Sequence, residues 1–110
     1  MAQETNRKSL LKIMQAIMIT FDQAHYQTIV DTLDKLLCRG FTAFEQVLGR
    51  GSKTGEPHYG SHAWPSMASA IFTVVEDSRL DAVMAALKRL DEESPKLGLR
   101  AFAWPVTASI

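Results

Sequence analysis

The sequence predicts an α+β domain whose elements run β-α-β-β-α-β, with one four-stranded antiparallel sheet. Three observations predict it. Two segments space their apolar residues at steps of three and four, as a helix with one buried stripe requires. Four short segments are rich in β-branched and aromatic residues, as half-buried or buried strands are. Between the second and third of these lies a long stretch dense in glycine, proline and histidine with no hydrophobic period.

KIMQAIMIT (12–20) is short and nearly all apolar, which fits a buried strand better than an amphipathic helix. Asp22 is placed to cap the following helix, whose stripe is Ile29, Val30, Leu33, Leu36 and Leu37. Arg39 falls in its expected last turn, and Gly40 takes the position after the helix where a left-handed residue is wanted. FTAFEQVL (41–48) is the second strand and MASAIFTVV (67–75) the third. Asp77 or Ser78 caps the second helix, with Asp81 three residues after Ser78 as in a capping box. Its stripe is Leu80, Val83, Met84, Leu87 and Leu90; Ser94-Pro95 ends it, and LRAFAWPV (99–106) is the fourth strand.

This order is the split βαβ, or ferredoxin-like, arrangement. Two helices cover one face of a four-stranded sheet. The fourth strand is nevertheless apolar at both parities, with Leu99, Ala101 and Ala103 on one side and Phe102 and Trp104 on the other. An apolar face left in water is an interface signal, so a homo-oligomer that buries it is expected.

At 110 residues the chain is one domain. Residues 1–11 are expected to form a polar N-terminal tail, and 12–110 the folded unit with its long loop at about 49–66. Lysine plus arginine and aspartate plus glutamate both number 12, so the formal net charge is zero. That balance, without a basic stripe, speaks against a nucleic-acid partner. The single cysteine, Cys38, excludes an intramolecular disulfide and reads as a small packed residue of a reducing compartment. No apolar run approaches the roughly 18 residues of a membrane span, and the N-terminal residues lack a signal-peptide core. A cytoplasmic protein without membrane insertion is expected.

The stretch LGRGSKTGEPHYGSHAWPS (48–66) holds four of the six glycines, two of the three histidines and one of the two tryptophans. Connections in compact domains usually take about 4–6 residues, so a loop this long and unusual is expected to be functional. Glycine-rich turns present consecutive N–H groups to an anion, although Gly49, Gly51 and Gly55 are equally explained by a strand end that needs positive φ. His58, His62 and Glu56 are a candidate divalent-metal set, since imidazole suits zinc, copper or nickel. Two solvated loop histidines explain the same residues, because Pro57 and Gly60 argue against the helix that would align the rings. Trp64 reads as an anchor for the loop's return to the sheet and Trp104 as interface or core. His25 reads as a surface residue at the start of the first helix. Asp91-Glu92-Glu93 reads as solvated charge at a helix end. No nucleophile is placed beside a base, so an enzyme is not expected.

Three segments carry a family resemblance. They are GFTAFEQVLGRGSKTG (40–55), VVEDSRLDAVMAAL (74–87) and Arg100-Ala101-Phe102. Together with the element order they resemble the PII family of trimeric signalling proteins over about residues 12–107. The resemblance implies a homotrimer with an adenine nucleotide, or another small anion, in the clefts between subunits. Gly49, Gly51 and Lys53 would line that cleft and Arg100 would face the phosphates. The long loop would be the T-loop, which contacts a partner such as a transporter or an enzyme; Ser52, Thr54, Glu56, Tyr59 and Trp64 lie on it. Two departures stand out. The family's glycine-rich B-loop before the last strand is replaced by Ser94-Pro95-Lys96-Leu97-Gly98-Leu99-Arg100, and its P-K-x-K after the T-loop by Pro65-Ser66-Met67-Ala68. A divergent member that regulates through a small ligand is the first expectation. A metal-responsive trimer using the loop histidines is the alternative.

Overall fold

The computed structural model describes residues 13–38, 40–47 and 67–110, together with the backbone of 49–50 and 57–58. Strand β1 (Met14–Asp22) leads through a 3-10 turn (Gln23–His25) into helix α1 (Tyr26–Lys35) and strand β2 (Phe41–Val47). Two short strands follow, β3 (Gly49–Arg50) and β4 (Pro57–His58). Strand β5 (Ala68–Glu76) runs directly into helix α2 (Asp77–Glu93), and a second 3-10 turn (Pro95–Leu97) precedes strand β6 (Arg100–Pro105). The main sheet has the order β2-β5-β1-β6 with every pair antiparallel. This is the predicted α+β ferredoxin-like fold.

Alternation along the central strands sorts the sheet into two faces. Ile17, Ile19 and Phe21 of β1 and Ile71 and Val75 of β5 point toward the helices and are buried. Ile29 and Leu33 of α1 and Val83 and Leu87 of α2 close over them. Two polar residues sit in this layer, and both are satisfied. Thr73 Oγ1 donates to the Gly40 carbonyl at 2.7 Å, and Ser69 Oγ donates to the Glu45 carbonyl at 2.6 Å. The second bond falls where the β2–β5 register shifts between Phe44 and Val47, so a hydroxyl meets the carbonyl that the interrupted ladder leaves over.

The helix ends depart from expectation in instructive ways. Asp22 does cap, accepting from the Ala24 N–H at 2.9 Å, but it caps the 3-10 turn and is still the last residue of β1. Helix α1 stops before Gly40. Leu37 takes the left-handed conformation at φ 62, while Leu37 N–H bonds the Asp34 carbonyl and Cys38 N–H bonds the Leu33 carbonyl. That pair of bonds is a Schellman motif, and its customary apolar contact is made by Leu33 with Cys38, both buried. Burial of Cys38 therefore sets the helix end three residues earlier than the glycine suggests, and it turns Leu37 out to 63% exposure rather than into the stripe. Helix α2 likewise starts at Asp77, one residue earlier than a cap at Asp77 requires and two earlier than a cap at Ser78 requires. Glu76 is its N-cap without a side-chain cap bond, so the Ser78–Asp81 capping box does not form. Asp77 instead gives its N–H to the Ile13 carbonyl at 2.8 Å and accepts from Gln15 Nε2 at 2.7 Å, tying the helix start to β1.

No helix among the described residues is long and apolar enough to cross a membrane. The second sheet face carries no helix. Phe44, Val74, Phe102 and Trp104 stand on it at 49%, 38%, 62% and 44% exposure, with the Trp104 and Phe72 rings 6.2 Å apart. Ala16, paired with Val74 and Trp104 on its two sides, is buried between these larger neighbours.

Candidate functional site

The pairing fixes which residues share an end of the sheet. Asp22 lies opposite Ala68, Val47 lies opposite Ala68, and Thr20 lies opposite Arg100. The exit of β2 into the glycine-rich segment, the entry of β5 and the start of β6 therefore stand at one end. Within that end, β2 and β6 are the two outer strands. Three inter-strand spacings separate them, about 14 Å at the usual distance between neighbouring strands.

Gly49 sits in β3, where it pairs with His58, and Arg50 pairs with Pro57. The glycine-rich segment is thus held at its base as a short ladder rather than an open loop, and His58 lies in extended backbone, as the neighbouring proline and glycine foretold. The expectations placed on Gly51, Ser52, Lys53, Thr54, Glu56, Tyr59, His62 and Trp64 fall outside the described residues. Among the described residues no group of three His, Cys, Asp or Glu side chains comes together as a metal set.

Arg100 opens β6 as an exposed residue, and its Nη1 donates to the Leu99 carbonyl at 2.7 Å. It borders a recess of ≈ 180 Å³ with Met84, Leu87, Lys88, Asp91, Leu99 and Ala101. Lys88 is an addition that sequence reading left out, and Asp91 is one that it read only as solvated charge. Their signal was the spacing of 84, 87, 88 and 91 on α2, which turns these residues to the side facing β6. The sequence groups Asp91 with Glu92 and Glu93 as solvated charge; the latter two are exposed, whereas Asp91 is half-buried at the recess.

A second recess of ≈ 280 Å³ lies at the other end of the sheet, among Leu37, Cys38, Gly40, Thr73, Glu76 and Arg79. Burial pushes the Cys38 thiol above its ordinary pKa, and the nearby Arg79 charge only partly offsets this. Such a thiol is a packed residue rather than a reactive one, in keeping with its 4% exposure. His25 is half-buried where the 3-10 turn meets α1. Trp104, exposed on the open face, is excluded from the core of the chain.

Comparison with known proteins identifies one family. The model of the nitrogen regulatory protein P-II family matches residues 14–109. At the level of sequence no curated protein matches the chain. Among solved structures, the chain is similar to CPII from Thiomonas intermedia K12, a PII-like protein bound to ADP, AMP and bicarbonate, with TM-score 0.69, 16% identity and 86% of each chain covered. It is similar to the B. subtilis GlnK–ATP complex, with TM-score 0.60, 18% identity and coverage of 89% of this chain and 87% of that one. A PII-like signalling protein from Thermus thermophilus matches with TM-score 0.58, 20% identity and coverage of 86% and 88%. At these identities the neighbours speak for the fold, and the family match speaks for descent. On that match over residues 14–109, in a chain whose sheet runs β2-β5-β1-β6, the chain belongs to the nitrogen regulatory protein P-II family.

Proposed function

We propose that this protein is a regulatory sensor, assembled as a homotrimer, that binds an adenine nucleotide or another small anion between its subunits. One observation carries the reading. The glycine-rich segment leaves the outer strand β2 at the same end of the sheet at which Arg100 opens the opposite outer strand, β6. Within one subunit about 14 Å of sheet separates the two strand ends. A ring in which the β6 edge of one subunit meets the β2 edge of the next would bring them together. Gly49, Gly51 and Lys53 then line the cleft, and Lys53 and Arg100 offer charge-assisted hydrogen bonds to the anion.

Support comes from two further directions. The open apolar face gives the assembly a surface to bury. CPII, which has the same fold, is bound to ADP, AMP and bicarbonate, and GlnK to ATP. Ligand binding would select one conformation of the segment at 52–64 and so alter its fit to a partner, a transporter or an enzyme. A ligand can do this only if it prefers one state of the loop over the other. The protein acts as a regulator, not as a catalyst; the metal reading rests on Glu56, His58 and His62, whose side chains lie outside the described residues.

The test is a thermal-shift series with ATP, ADP, AMP and bicarbonate added separately, alongside the mass of the assembly in solution. A ligand at about 100 times its Kd adds roughly 2.7 kcal/mol to stability, a readily measured shift. The expected result is a trimer with a nucleotide- or bicarbonate-dependent shift that Arg100→Ala removes. A monomer, or a shift that survives Arg100→Ala undiminished, sinks the reading.

A further inference from the structure

The open face holds an aromatic residue at an irregularity of an outer strand. Phe44 pairs with Ala70, and the register resumes at Val47 with Ala68. Strand β2 therefore spends three steps where β5 spends two. That is a β-bulge, a feature that re-aims the side chains beside it. The irregularity is fixed in place, because Ser69, 0% exposed, donates its Oγ to the Glu45 carbonyl at 2.6 Å. Phe44, immediately before it, keeps 49% of its surface exposed.

The pairing also gives Phe44 a level and a face. Phe44 pairs with Ala70, Ala70 with Thr20, and Thr20 with Arg100. These residues form one row across the sheet, and directly paired residues point to the same face. Phe44 and Arg100 are thus the two ends of one row, on the outer strands β2 and β6. In the proposed ring the β6 edge of one subunit meets the β2 edge of the next, so the row runs on from Arg100 into Phe44 of the next subunit. A guanidinium and an aromatic ring then stand side by side at the cleft. The guanidinium suits a phosphate. The ring suits the uncharged part of a nucleotide, since every base has a π-face and stacks on an aromatic side chain.

We infer that Phe44 is the base platform of the proposed intersubunit site: the base of an adenine nucleotide stacks on its ring, while Arg100 of the adjoining subunit holds the phosphate. The inference rests on that site and adds the residue that tells a nucleotide from a bare anion. Ser69 is a positioning residue, since its hydroxyl holds the bulge beside the ring.

The experiment is calorimetric titration of the full chain with AMP, ADP and ATP, in wild type, Phe44→Leu and Phe44→Tyr, with the mass of each assembly measured alongside. Leucine keeps an apolar contact and loses the π-face, whereas tyrosine keeps the ring. Stacking of one base is worth about five- to 150-fold in affinity. Phe44→Leu is therefore expected to weaken all three nucleotides by at least about fivefold with the mass unchanged. Phe44→Tyr is expected to stay within about twofold of wild type. A smaller loss in Phe44→Leu, or a larger one in Phe44→Tyr, overturns the inference and leaves the site itself standing. A change of mass in either variant overturns it too, because Phe44 would then serve assembly. If none of the three nucleotides binds the wild type, the nucleotide reading of the site fails and this inference fails with it.

Discussion

The two faces of the sheet are made by one alternation of residues and meet different fates. On the helix face, Ile17, Ile19, Ile71, Val83 and Leu87 pack to 0–1% exposure, and the polar Thr73 and Ser69 are both hydrogen-bonded. On the other face, Phe44, Phe102 and Trp104 are as apolar but remain 44–62% exposed. One face therefore stabilises the chain by itself, whereas the other can contribute fully only when a second chain covers it. The contrast separates folding from assembly, and substitutions on each face should separate them too.

The largest effect is expected on the covered face. Ile71→Ala should lower unfolding stability by about 2–5 kcal/mol, since it removes buried methylenes and leaves a cavity between α1 and α2. Denaturant melts would check this, and a loss below about 0.5 kcal/mol would show that the helices do not press on the sheet there. On the open face, Phe102→Lys together with Trp104→Lys should leave circular dichroism unchanged but reduce the particle mass to that of one chain. A trimer of unchanged mass would show that the assembly covers some other surface.

A smaller effect tests the polar pins of the covered face. Thr73→Val keeps the shape but deprives the Gly40 carbonyl of its donor, at a cost of about 1–3 kcal/mol, and Thr73→Ser should retain most of the stability. Equal losses in the two variants would assign the effect to packing instead. The smallest effect is a gain at the end of α1. Leu37→Gly relieves about 1–2 kcal/mol of left-handed backbone cost and incurs about 0.5–1 kcal/mol of chain entropy, a net stabilisation of up to about 1.5 kcal/mol. Leu37→Ala, which keeps the Cβ, should give no such gain.

The elements that were legible in the sequence are those whose signal is periodic. The stripes Ile29–Leu33 and Val83–Leu87 identified both helices, and the nearly unbroken apolar run at 12–20 identified β1, although that strand runs on to Asp22 because Phe21 still points into the core. What was misread lay at boundaries, where tertiary burial outweighs local preference. Gly40 was the natural left-handed residue, yet burial of Cys38 against Leu33 moved that role to Leu37. The capping box at Ser78 was outweighed by the bonds of Asp77 to Ile13 and Gln15, which join β1 to α2 across 62 residues or more of sequence. Of the candidate site, Arg100 could be located because a strand carries it, while most of the glycine-rich segment has no period that local rules can use. The partnership of Lys88 and Asp91 with Arg100 needed the fold, since only the packing of α2 beside β6 brings them together.

The departure of the glycine segment from one outer strand and the position of Arg100 on the other have a genetic consequence. In the proposed ring no single chain completes a site; each chain donates one half to the neighbour on its left and the other half to the neighbour on its right. Two inactive alleles, one defective at Arg100 and the other in the glycine segment, should therefore restore function when expressed together, because some junctions in the mixed rings join two intact halves. An allele whose chain still assembles but lacks both halves should instead be dominant over the wild type, since every ring it enters loses sites that its partners would otherwise complete.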